Sequence, residues 1–310
     1  MHHATHSRKT SDRPSALPIV ALIGANAALA FGPWFVRMAD VGPVAAGFWR
    51  LSLAVPLLFA GAVAGGWRPR GMGRRAWIAL VLAGLCFAAD LGAWHVGILM
   101  TTMANATLFG NCATLIYPLY GFAVARMWPT RTQGLALMMA LAGGALLMGR
   151  SYELSATNLA GDLMCLLAGL LYAAYFIIMA RVVTATAPLP ALALSSLVST
   201  VPLLLTALAL GERVWPSDWG PLITLALVSQ AMGQGLMTYA LGKLPPLVIG
   251  IALLTQPIIS GAVGWTVYGE VLGTPDLIGA ILVGIALVLV RRRSREPVQL
   301  APVGAPPGAD

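Results

Sequence analysis

Charge is scarce in this 310-residue sequence: 10% of its residues are Asp, Glu, Lys or Arg, against 58% hydrophobic, at a mean hydropathy of +0.82. So few polar side chains cannot cover a soluble globule of this size, which excludes a water-soluble domain and puts the chain in a bilayer. Cysteine is scarce as well. Cys86, Cys112 and Cys165 are odd in number and lack metal-ligand spacing, so they read as small buried hydrophobes rather than a disulfide framework or zinc site. No H-E-x-x-H, no Gly-x-Ser-x-Gly and no Gly-Lys-Ser/Thr phosphate loop occurs, which argues against an intramembrane metalloprotease, a serine hydrolase and direct ATP drive. A lone Asp90 supplies no aspartyl dyad. The net charge of +8 does not point to nucleic acid, because the basic residues stand in the gaps between apolar runs. No cofactor and no metal is expected.

What is present is a succession of apolar runs of about twenty residues, the length that spans roughly 30 Å of hydrocarbon. They lack the period-2 alternation of barrel strands, so they are helices. Helices are expected at Leu17–Val36, Pro43–Ala64, Ala76–Leu99, Thr101–Ala125 and Thr132–Gly149, then at Leu159–Ala180, Pro188–Leu210, Trp219–Leu241, Leu244–Val267 and Pro275–Val290. The first run, basic residues before it and Ala28-Leu29-Ala30 near its end, also fits a signal peptide, but cleavage would remove a helix that the repeat below requires. With ten spans and a cytoplasmic N-terminus, fifteen Lys and Arg fall inside and only Arg37, Arg150 and Arg213 outside, the bias that orients membrane proteins. Both termini are then cytoplasmic.

The two sets of five resemble each other. Val55-Pro56-Leu57-Leu58 recurs as Val201-Pro202-Leu203-Leu204, and at a second offset Pro118 falls on Pro257 and Leu115 on Leu254. Because five is odd, copies in series lie in opposite orientations, the inverted repeat of many secondary transporters. The expected fold class is therefore an all-α integral membrane protein of ten transmembrane helices in two inverted five-helix repeats. Its parts are a tail at 1–16, a first repeat at 17–149, a linker at 150–158, a second repeat at 159–290, and a basic, then disordered, tail at 291–310.

Ionisable groups inside spans cost about 2.5 to 3.5 kcal/mol each on insertion scales, so they mark partners or a wet cavity. Arg50, Asp90 and His95 are the three that stand out, with Arg50 and Asp90 at depths that allow them to pair. At the repeat offsets, Asp90 corresponds to Ser229, His95 to Gln234, Tyr117 to Gln256 and Asn26 to Tyr172, so polar or amphipathic side chains recur at matched places. The expected pathway residues are Asn26, Arg50, Asp90, Trp94, His95, Asn111, Tyr117, Tyr172, Tyr175, Gln230, Gln234 and Gln256. Asp90 and His95 are the candidate proton carriers. Pro56, Pro118, Pro202 and Pro257 each free a carbonyl within a span and read as hinges or static kinks. Trp34, Trp67, Trp77, Trp128, Trp215 and Trp219 near span ends read as an interfacial belt.

Phe48-Trp49-Arg50 near the outer end of the second helix, prolines in the fourth and ninth, and Tyr268-Gly269-Glu270 followed by Thr274-Pro275 and Gly279 carry a family likeness. In that order they resemble the drug/metabolite transporter superfamily, specifically EamA-type exporters, over nearly all of residues 17–290. Met127-Trp128-Pro129-Thr130 departs from the pattern, standing where the family often has Gly-Glu before the fifth helix. The resemblance implies an inner-membrane carrier that exports or exchanges small metabolites, such as amino acids or related compounds. The partners expected are a small-molecule solute and the lipid bilayer, with no nucleic acid; the sequence does not set the oligomeric state, and a monomer is compatible with it. A channel and an intramembrane enzyme are the competing classes.

Overall fold

The computed structural model describes residues 16–68, 72–113, 155–244, 255–270 and 273–291, together with positions 116, 130–132, 134–135, 138–139, 142–143, 146, 249 and 252–253. Among the described residues every regular element is helical and there is no strand. Among the described residues five stretches are long and apolar enough to cross a membrane: Leu17–Met38, Pro43–Ala64, Arg74–Met100, Ala156–Val183 and Pro188–Ala209. Shorter apolar helices lie at Ile258–Tyr268 and Leu277–Ala286.

The first expected helix is two: α1 (Ala16–Ala30) and α2 (Gly32–Met38). Pro33, near the start of α2, has no N–H to donate and its ring crowds the carbonyl four residues back, so the helix breaks at Phe31. α3 (Pro43–Ala64) has the expected bounds, with Pro43 in the first turn, where a missing N–H costs nothing. α4 runs over Arg74–Met100 and α5 over Met103–Gly110, the described beginning of the fourth expected span. Most of the fifth expected span, with Tyr117 and Pro118 before it, lies outside the described residues.

After residue 155 come α6 (Ala156–Ala185), capped by Ser155, whose hydroxyl accepts the Asn158 amide at 3.1 Å, and α7 (Pro188–Ala209). The eighth expected span, Trp219–Leu241, is helical but composite: α8 (Gly220–Thr224), a π-helical segment Leu225–Gln234, and α9 (Gly235–Leu241). α10 (Thr255–Tyr268) and α11 (Thr274–Arg291) close the described chain. Pro56 and Pro202 sit inside continuous α3 and α7, and Pro257 lies within α10.

Elements from before residue 155 pack chiefly on elements after it. α4 lies along α6 and α7, α3 on α7 and the π-helical segment, α1 on the π-helical segment and α9, and α5 between α6 and α10. Leu22, Leu51, Leu80, Phe87, Tyr175 and Met179 form the centre of the apolar core. Val20, Leu57, Leu82, Leu205 and Ile281 are exposed on the outer faces, which hydrocarbon solvates without penalty.

Candidate functional site

Where α1, α3, α4, α5, α6, the π-helical segment and α10 converge, they enclose a cavity with about 40 Å³ free for the centres of water-sized molecules. A single water needs roughly 10–15 Å³ on that measure, so the space suits a few waters or a small polar group. Seven of the twelve expected pathway residues line it: Arg50, Asp90, Trp94, Asn111, Tyr172, Gln234 and Gln256. Leu29, Phe87, Leu91, Thr107 and Gly110 complete the wall.

Arg50 is 2% exposed. Its Nε donates to Gln230 Oε1 at 3.0 Å, and Gln230 Nε2 donates in turn to Ser196 Oγ at 3.0 Å. The guanidinium carbon lies 5.8 Å from the Trp94 ring, within cation–π range, while Nη1 has no partner. The direct Arg50–Asp90 pair expected from their depths is not formed, since no N···O distance between them falls within 4.0 Å. Gln230, carried by the π-helical segment, takes Nε instead. Asp90 faces the same cavity, and no hydrogen bond to its carboxylate is formed among the described residues. Buried charges with open valences are costly, so this arrangement favours an occupant that supplies the missing partners.

Side-chain amides make up the rest of the polar wall. Asn111 Nδ2 donates to Gln256 Oε1 at 3.2 Å, Gln256 Nε2 to Asn26 Oδ1 at 2.8 Å, and Asn26 Nδ2 to the Leu22 carbonyl at 2.8 Å. This relay ties α5 through α10 to α1, with Asn26 behind the lining. On the opposite side, Tyr172 Oη donates to Gln234 Oε1 at 3.0 Å, which leaves Gln234 Nε2 and Ser229 Oγ without partners. Both belong to the π-helical segment. Its i→i+5 bonding widens the turn and brings residues five apart into register, so Ser229 and Gln234 turn inward together.

Like Asn26 and Gln230, the expected residues His95 and Tyr175 stand outside the lining, and Tyr117 lies outside the described residues. His95 is fully buried between α3 and α4, its Nδ1 3.0 Å from the Pro43 carbonyl and its Nε2 unpartnered. Tyr175 stacks on Phe87 at 4.5 Å between ring centroids and supports that wall from behind. Trp94 is held in place by Nε1 donating to the Ala106 carbonyl at 3.1 Å, and a Cβ on Gly110 would fall 2.9 Å from that nitrogen, so only glycine leaves room. Among the described residues no group of three His, Cys, Asp or Glu could hold a metal ion.

A second polar cluster lies one turn beyond the cavity, at the end where α2 and α4 finish and α5 begins. Arg37 pairs with Glu270 at 2.6 Å and donates to the Thr101 carbonyl at 2.6 Å and the Ile98 carbonyl at 3.2 Å. Glu270 accepts the Met103 amide at 2.9 Å. Nearby, Asp162 accepts from Thr101 Oγ1 at 2.6 Å and from Asn105 Nδ2 at 3.3 Å. Sequence reading entered Arg37 only as one of three outer basic residues and Glu270 only as part of a family motif. The signal available was their charge in a chain of which only 10% is charged.

Apolar helices that expose hydrocarbon-compatible faces and bury a charged cavity define a multi-pass membrane protein of the transporter class. Residues 159–292 match the model of the EamA-like transporter family. It is 25% identical over 224 residues to the Bacillus subtilis (strain 168) protein named Uncharacterized transporter YwfM, an alignment covering 71% of this chain and 75% of that protein. A solved crystal structure, 14% identical, superposes with a TM-score of 0.64 over 90% of this chain and 99% of its own, which is a likeness of fold alone.

Proposed function

We propose that the protein is a secondary transporter of the inner membrane that exports or exchanges small organic metabolites, amino acids or related compounds, by alternating access. The observation that carries this reading is the buried Arg50 with a free Nη1 lining the same cavity as an unbonded Asp90 carboxylate. A solute bearing a carboxylate and an ammonium group would satisfy both, the carboxylate on Arg50 through charge-assisted hydrogen bonds and the ammonium on Asp90. Trp94 and Tyr172 supply apolar wall, and Asn111, Gln234 and Gln256 supply neutral hydrogen-bonding groups.

The same reading takes the chain as ten helices in two inverted units, 17–149 and 159–290, with both termini cytoplasmic. The packing of early elements on late ones supports it, because a site at the junction of two rocking units needs walls from both. Proton coupling, where it operates, runs through Asp90, which faces the cavity, rather than through His95, which stands outside the lining.

Reconstituted protein tested by counterflow against a panel of small metabolites checks the assignment. At least one carboxylate-bearing solute is expected to show saturable counterflow, and Arg50→Ala is expected to weaken its binding by roughly 10- to 100-fold, as for loss of a charged hydrogen bond. Asp90→Asn is expected to abolish the response to a pH gradient, and His95→Ala to leave it. A folded Arg50→Ala protein that binds every panel solute normally would contradict the site. Unsaturable flux would favour a channel.

A further inference from the structure

The Arg37–Glu270 pair is placed where a gate would be. Thr107 in the cavity wall follows Met103 by one turn of α5, and Trp94 precedes Ile98 by one turn of α4, so the cluster lies about 6 Å beyond the cavity along both helices. It ties together four chain segments that carry cavity wall or abut it: α2, the end of α4, the start of α5, and the turn after α10. Each half of the pair also satisfies a helix terminus. Arg37 meets carbonyls at the end of α4, and Glu270 meets an amide at the start of α5, the signs that helix dipoles favour.

Separating the two side chains would therefore release two helix ends as well as one ion pair. Each of those groups is compensated equally well by water once the cleft opens. Such a contact is strong when the cleft is closed and is replaced at small cost when it is wet, which is what a reversible closure requires. Both side chains are near the surface, 14% and 15% exposed, so water needs only a small opening to reach them.

We infer that the Arg37–Glu270 pair is the latch that closes the cavity on this side, so that breaking it shifts the carrier toward the state open at the Arg37 face. This rests on the carrier reading but not on the choice of solute. The test reads access rather than transport. Thr107→Cys is introduced into a chain carrying Cys86→Ala, Cys112→Ala and Cys165→Ala, reconstituted in vesicles, and labelled with a membrane-impermeant maleimide from each face separately.

Glu270→Gln and Arg37→Gln are each expected to speed labelling from the Arg37 face by about tenfold and to slow it from the opposite face, since a shifted two-state equilibrium moves both. Gly264→Ala is a third arm that keeps both charges, because a Cβ there collides with the Glu270 carboxylate and displaces it. The latch is refuted if folded variants, judged by size exclusion, label at the parent rate from the Arg37 face. It is equally refuted if labelling rises from both faces together, the mark of general loosening. Because no solute enters the assay, a wrong solute assignment leaves this result intact, and a failed latch leaves solute binding at Arg50 to be judged separately.

Discussion

Two glutamates in this chain do the same local job in different surroundings. Glu212 follows Gly211 (φ 67°) at the end of α7, and Glu270 follows Gly269 (φ 64°) at the end of α10, each glycine supplying the left-handed turn that ends its helix. Each carboxylate then reaches across to the start of a helix from before residue 155. Glu212 accepts the Val44 and Ala45 amides of α3 at 3.2 and 2.8 Å, and Glu270 accepts the Met103 amide of α5.

The difference lies in what else holds the corner. Around Glu212, Trp49 Nε1 donates to the Val214 carbonyl at 2.7 Å, the Gly42 amide donates to the Arg213 carbonyl at 2.9 Å, and Trp49, Trp215 and Trp219 pack together. No ion pair to Glu212 is formed among the described residues. Glu270 depends instead on Arg37, whose own remaining bonds go to helix-end carbonyls. The same capping chemistry makes a fixed joint where neighbours brace it redundantly and a releasable one where a single cation completes it.

The widest gap between the two should appear in access to the cavity. Glu270→Gln is expected to speed labelling of Thr107→Cys by about tenfold from the Arg37 face, whereas Glu212→Gln should stay within roughly twofold of the parent. In thermal unfolding the order should reverse, with Glu212→Gln losing about 1–2 kcal/mol as a helix start loses its cap, and Glu270→Gln losing less because opening rehydrates its partners. Equal effects in both assays would erase the distinction.

Gly211→Ala and Gly269→Ala sharpen it further. A Cβ would meet nothing within 4 Å at either glycine, so the cost is the left-handed backbone alone, about 1–2 kcal/mol, and unfolding midpoints should fall alike at the two positions. The smallest effect expected is at Asp40, which joins the Glu212 corner from the α2–α3 turn. The Ser217 amide donating at 2.8 Å, with Arg213 beside it, holds the Asp40 carboxyl below its ordinary value of 3.8 despite partial burial. A lowered folded value means the contribution is full above the ordinary carboxylate range and is lost as pH falls through the folded value. Asp40→Asn should therefore lower stability slightly at neutral pH, where the contribution is full, leave strongly acid pH unchanged, and so flatten the acid side of the profile below about pH 4, read by thermal unfolding across pH.

The helices were legible because hydropathy and proline placement encode them directly. Pro43 and Pro188 opened α3 and α7 as expected, and the apolar runs gave the long helices. Two local departures were not legible from hydropathy. The break before Pro33 requires weighing one proline against an unbroken apolar run, and the π-helical register of Leu225–Gln234 changes which side chains turn inward without changing composition. In that segment Gln230, one of the expected pathway residues, accepts from Arg50 Nε, and Asp90 does not pair with Arg50. Arg37 and Glu270 lie 233 residues apart in sequence, and no periodicity relates them. Only the folded chain brings that pair together.

The most direct test of the central claim is solute protection of the cavity itself, with Thr107→Cys labelling rates measured across a panel of small metabolites in wild-type and Arg50→Ala backgrounds. The account predicts that at least one solute carrying a carboxylate slows labelling in the first background and has no effect at the same concentration in the second. Protection by no solute, or equal protection in both backgrounds, would contradict it.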